Sequence, residues 1–271
     1  MKTKIFSISA LLITLAATAL RTFCLLTQYE PRLGYLQSGT FTTVTTVFMI
    51  AGALFCFASG FALSNVRLIG DAFSTLARQR VWAILYTFGA AACFFGGVYL
   101  LADPTGSSFI FYKLTGILAL VLAVFFLVGC SGDKTKSTSA SAALLPWLPF
   151  AGIVMLLLLA ASFYFDQSVT INGPMTVPMM IASLFGCFLL LAEVRIRAER
   201  RSSSVYTGVT LLTFFLCTTV GVSNLVYSLA GNTAGGISIS QPARPILLLA
   251  LSFAAAARLL CHTSAARSEE A

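Results

Sequence analysis

Eight apolar runs, each long enough to cross a bilayer, fill most of this chain. They occupy residues 5–26, 41–63, 81–102, 109–129, 145–165, 175–194, 205–230 and 245–261. A spanning helix needs about 20 apolar residues, whereas a barrel strand needs only about ten that alternate in polarity. An apolar run in lipid must also satisfy its own backbone groups, which a helix does and an open strand does not. The expected fold is therefore all-α, a polytopic integral membrane protein of eight transmembrane helices. Composition agrees: 58% of the 271 residues are hydrophobic and only 10% are charged. A water-soluble domain carries about a quarter charged residues.

Thirteen of the seventeen Lys and Arg fall on one side of these runs: Lys2, Lys4, Arg67, Arg78, Arg80, Lys134, Lys136, Arg195, Arg197, Arg200, Arg201, Arg258 and Arg267. Cytoplasmic loops carry the positive excess, so a cell-membrane, multi-pass protein with both termini cytoplasmic is expected. The net charge of +8 is spread over short loops. It reads as contact with the lipid bilayer and its anionic headgroups, and no nucleic-acid partner is implied. Ala17-Thr18-Ala19 has the form of a signal-peptide cleavage site, but the apolar run continues to Leu26, so the first helix is expected to be retained. Arg258 lies one turn inside the last run, from which its side chain is expected to snorkel to the interface.

The two halves resemble each other in order. Thr46-Val47 with Met49 corresponds to Thr176-Val177 with Met179. Val98-Tyr99-x-Leu101-Ala102 corresponds to Val226-Tyr227-x-Leu229-Ala230, and Leu118-Ala119-Leu120 to Leu249-Ala250-Leu251. Four helices per half give both halves one orientation, so two parallel four-helix repeats are expected. The organisation is then residues 1–130, a polar cytoplasmic linker at 131–143, and residues 144–271. Residues 65–80 hold apolar side chains at helical spacing between arginines, which suits a surface amphipathic helix or an extension of its neighbours. In the third run Gly89, Ala92, Cys93, Gly96 and Gly97 share one helical face, which admits a neighbouring backbone closely.

Ionisable groups inside lipid are costly and so flag function. Arg21 lies deep in the first run, Lys113 a turn inside the fourth, and Arg244 in the place corresponding to Lys113. Asn224 and Ser223 lie in the seventh run, and Glu30 follows the first. Arg21, Glu30, Lys113, Asn224 and Arg244 are the candidate substrate-binding residues. The cations would hold a small anionic solute or a lipid headgroup, and Asn224 would add a directional hydrogen bond. The competing reading is structural, with long cationic side chains marking helix ends.

Catalytic signals are absent from the pattern. The runs hold a single acid, Glu193, at a helix end. No paired carboxylates, Ser/His pair or metal-ligand cluster is visible, so no enzyme, metal or cofactor is expected. The seven cysteines lie in or beside apolar runs and read as small apolar residues.

The segment Leu20-Arg21-Thr22-Phe23-Cys24-Leu25-Leu26-Thr27-Gln28-Tyr29-Glu30-Pro31-Arg32-Leu33-Gly34-Tyr35 resembles one found in uncharacterised bacterial multi-spanning membrane proteins. That family pairs Leu-Arg in the first helix with a threonine, an aromatic-acid turn and a glycine. The resemblance implies a bacterial inner-membrane protein and no particular activity. It points to Arg21, Tyr29, Glu30, Pro31 and Gly34, with Pro31 ending the helix and Gly34 allowing a turn that brings Glu30 near Arg21. Two functional classes stay open: a small-solute transporter or permease, and a non-catalytic accessory or scaffold protein, either of them as a monomer or a homo-oligomer.

Overall fold

The computed structural model describes residues 2–30, 33–62, 80–102, 110–130, 147–165, 173–197, 204–230 and 240–270. They form eight helices: α1 (Lys2–Gln28), α2 (Thr40–Ala62), α3 (Arg80–Ala102), α4 (Ile110–Cys130), α5 (Leu148–Phe165), α6 (Thr176–Arg197), α7 (Ser204–Leu229) and α8 (Ser240–Glu270). A two-residue antiparallel hairpin, β1 (Tyr29–Glu30) and β2 (Tyr35–Leu36), links α1 to α2. Gly34 in its turn has φ 71°, a left-handed conformation that glycine adopts without a Cβ clash. Pro31, the amphipathic segment 65–80 up to residue 79, and the linker 131–143 lie outside the described residues.

Among the described residues, seven helices are long and apolar enough to cross a membrane, compatible with a multi-pass membrane protein. The exception is α5, whose described apolar stretch, Leu148–Phe163, is shorter. Large apolar side chains such as Leu12, Leu54, Phe95 and Phe188 face outward. A soluble monomer rarely exposes apolar surface so continuously, so these side chains form the lipid-facing belt of a helical membrane bundle.

The helices alternate in direction, and side-chain contacts fix the ends. Arg21, late in α1, meets residues preceding α6 and late in α7. Glu193, late in α6, meets Tyr206, early in α7. The hairpin therefore marks one end of the bundle, and Glu193 lies toward the far end.

Helices α7 and α8 make the centre, with most of their apolar stretches Val205–Leu229 and Pro242–Leu260 buried. The packing partners of α7 are α1, α2, α6 and α8, while α8 packs mainly against α7 and α3. The helices α3, α4, α5 and α6 follow one another around the outside. Hydrophobic force is weak between helices already in lipid, so close backbone approach and polar contacts must hold them. Both are present. A Cβ on Gly60 of α2 would fall 2.1 Å from the Gly208 Cα of α7, so α2 cannot carry a side chain there without moving away. Gly97 of α3 and Gly116 of α4 are reciprocal, each hypothetical Cβ meeting the other's carbonyl oxygen at 2.9 Å. The small-residue face of α3 is used, with Gly89 and Gly96 against α8 and Gly97 against α4. Thr218 of α7 and Ser252 of α8 share a hydrogen bond of 2.6 Å.

The five cysteines with described side chains pack among apolar neighbours. Cys24, Cys56, Cys93 and Cys217 are buried, and Cys187 is half-buried, all as free thiols.

Candidate functional site

A cleft of about 890 Å³ runs between α1 and α2 on one side and α6 and α7 on the other. It exists because α2 and α6 both pack against α7 without packing extensively against each other. Its floor is apolar and buried, with Leu25 from α1 and Leu212 and Leu216 from α7. Its rim residues Ile50 and Leu54 of α2 and Val177 and Ile181 of α6 are exposed. These face the lipid belt, so the cleft opens sideways rather than only through an end.

Arg21 stands at the hairpin end of the cleft, with Tyr35 of β2 and Pro174, just before α6, beside it. It is only 7% exposed. Its Nε donates to Ser223 Oγ at 2.9 Å. Its Nη2 donates to the Pro174 carbonyl at 2.9 Å and to Asn224 Oδ1 at 3.3 Å. The acceptors are themselves fixed. Ser223 Oγ donates to the Thr219 carbonyl at 2.6 Å, and Asn224 Nδ2 donates to the Met175 carbonyl at 3.4 Å. The first turn of α6 is closed by the Thr176 and Val177 amides donating to the Gly173 carbonyl, each at 3.1 Å. Arg21 thus ties α1 to α7 and to the start of α6.

Every one of these acceptors is neutral. Glu30 forms no ion pair with Arg21, although the hairpin turn that was to bring them together is formed. The turn is held by the Leu33 and Gly34 amides donating to the Glu30 carbonyl, while Tyr29 stacks edge-on against Tyr227 at 5.3 Å. Glu30 is half-buried in this hairpin.

The remaining candidates lie elsewhere. Arg244 is buried between α4, α5 and α8, donates to the Tyr112 hydroxyl, and lies 4.8 Å and 4.9 Å from the ring centres of Phe163 and Tyr112. Lys113 Nζ donates to the Leu101 carbonyl at the end of α3, at 2.5 Å. The structure therefore brings Arg21 and Asn224 together and places Lys113 and Arg244 outside the cleft. The cations do not converge because α4, which carries Lys113, packs against α3 and α5, and Arg244 of α8 is turned toward α4 and α5.

A further charged cluster escaped the sequence reading. Arg258 of α8 does not snorkel; it is 1% exposed and ion-paired with Glu193 of α6, which is also buried. The Tyr206 hydroxyl donates to the same carboxylate at 3.1 Å, and the Tyr86 ring lies 5.9 Å from the guanidinium. The signal was present: Glu193 is the one acid within the apolar runs, and Arg258 is a cation embedded toward the same end. A charge that cannot reach water must find its opposite.

No group of three or more His, Cys, Asp or Glu side chains is assembled for a metal among the described residues. No protein-family model, no curated protein and no solved structure matches this chain.

Proposed function

We propose that this is a bacterial inner-membrane protein with both termini cytoplasmic, acting as a transporter or permease that takes a small, largely apolar solute from the bilayer. On this reading all eight helices span the membrane, and the chain arose from two parallel four-helix halves. Their packing has since diverged, because α2 lies along α7 whereas the corresponding pair, α6 and α3, has no comparable contact. The observation that carries the reading is the cleft itself: it lies between helices of both halves, has apolar walls and a lipid-facing side, and falls within the size range of small-molecule sites.

The test is photolabelling of the purified protein in nanodiscs with a neutral long-chain alcohol bearing a diazirine. Cleft uptake predicts label on the buried floor residues Leu212 and Leu216, reduced in an Ala53→Phe variant that narrows the cleft. Label restricted to lipid-facing side chains such as Leu12 and Phe95 would reject it.

One observation favours the accessory or scaffold reading. Arg21 joins three chain segments in the manner of a structural lock. A lock predicts that Arg21→Leu lowers protein level in the membrane, whereas a binding role predicts normal level with lost uptake.

A further inference from the structure

We infer that the occupant of the cleft is an acidic amphiphile, with a carboxylate or phosphate head at Arg21 and an alkyl chain along the trough. This rests on the cleft reading above and adds the chemistry of the ligand.

The head group follows from how Arg21 is bonded. Its hydrogen bonds use Nε and Nη2 only. Nη1 has no partner among the described residues, yet it is not fully enclosed. It therefore keeps some open surface, on a side chain that lines the cleft. The three bonds hold the guanidinium plane fixed, so little order is lost when a ligand arrives. No carboxylate among the described residues ion-pairs with Arg21, so a full positive charge stands against a low-dielectric wall. An anion there gains far more than it would in water. The start of α6 adds to this. Gly173 and Pro174 line the same mouth, and the positive end of a helix dipole favours negative charge. A guanidinium matches carboxylate and phosphate better than other head groups.

The tail follows from the walls. From Thr45 to Phe57 the cleft follows α2 for about 18 Å at the helical rise, more than half of a hydrocarbon core of about 30 Å. Beyond the mouth its floor is formed by side chains such as Leu212, Leu216 and Phe185. A free inorganic anion would leave that length unfilled; an alkyl chain entering from one leaflet fills it.

The experiment uses the full chain in nanodiscs of zwitterionic lipid. Three diazirine probes of equal chain length are compared: an alkyl carboxylate, an alkyl phosphate and the neutral alcohol. Inorganic phosphate serves as competitor. We expect the acidic probes to label Leu212 and Leu216 at roughly tenfold lower concentration than the alcohol, the worth of one charge-assisted hydrogen bond. Arg21→Gln should remove the difference between acidic and alcohol probes, and Arg21→Lys should keep part of it. The acid-over-alcohol preference of the unaltered protein is decisive if either variant fails to accumulate. Equal labelling by acid and alcohol overturns the head-group assignment while the cleft reading stands. Absence of floor labelling by every probe overturns both. Full competition by inorganic phosphate at low concentration overturns the amphiphile in favour of a free anion.

Discussion

Arg258 and Arg21 are both buried arginines of one bundle, toward opposite ends, and the chain neutralises them in different ways. Around Arg258 the compensation is complete in charge: Glu193 ion-pairs with it, Tyr206 donates to the same carboxylate, and an aromatic ring lies beside the guanidinium. Around Arg21 the compensation is dipolar, from a serine, an asparagine and a backbone carbonyl, with a cleft alongside. Arg244 is a third solution, with a phenol oxygen and two ring faces. A guanidinium matched by a carboxylate is electrostatically closed and serves packing. On the binding reading proposed above, one held in position by neutral acceptors and left open on one nitrogen keeps its charge for a ligand.

The largest expected effect tests the closed end. Glu193→Leu leaves Arg258 buried without its counter-charge, which costs about 3–5 kcal/mol of stability. Thermal unfolding in detergent should show a large fall. The double variant Glu193→Leu with Arg258→Leu should recover most of it, since a well-packed apolar pair replaces a buried ion pair at little cost. A silent single variant would show that the two arginines are not differently held. Tyr206→Phe, measured the same way, should cost less, about 1.5–3 kcal/mol, as expected for one hydrogen bond to a charged group.

Packing differs between the ends as well. At the far end Gly60 has no room for a methyl group against Gly208, so Gly60→Ala must push α2 away from α7. Overpacking of this kind costs about 1–3 kcal/mol. Ala53, on the same helix but lining the cleft, has open space in front of it. Ala53→Leu should change the unfolding temperature little, and equal losses for the two variants would mean that the cleft is not open.

Much of the fold was legible because lipid imposes a simple rule. Uninterrupted apolar runs of fixed length must be helices, and the observed α2, Thr40–Ala62, lies within a residue of the run at 41–63. The glycine face of α3 was legible for the same reason, since close helix approach needs small side chains. The helix order around the bundle was not legible. Apolar faces are interchangeable in lipid, and nothing local says that α7 is central. Its burial of Thr207, Thr210, Thr213, Thr219, Ser223 and Asn224 is the one trace, a helix too polar for a lipid-facing role. The candidate site was half legible. Arg21 and Asn224 stood out as polar groups at lipid depth, and they do meet. Lys113 and Arg244 were grouped with them because they share a depth, but depth fixes only one of three coordinates. The ion pair of Glu193 and Arg258 was missed because each residue, taken alone, is near enough to a helix end to be assigned to the interface.

The smallest expected stability change is the most informative, because it separates the two readings of Arg21. Arg21→Leu removes three interhelical hydrogen bonds, which in membrane proteins average about 0.6 kcal/mol each. It also removes a buried charge that no carboxylate balances, and this offsets part of the loss. Ser223 Oγ and Asn224 Nδ2 keep their own bonds to the Thr219 and Met175 carbonyls, while Asn224 Oδ1 and the Pro174 carbonyl lose the donor that Arg21 supplied. The net change should be within about 1 kcal/mol, well below that of Glu193→Leu in the same detergent and assay. A similar fall for the two variants would mean that Arg21 is as much a part of the packing as Arg258. The hairpin-end cluster would then be a second lock, and the accessory reading would displace the binding one.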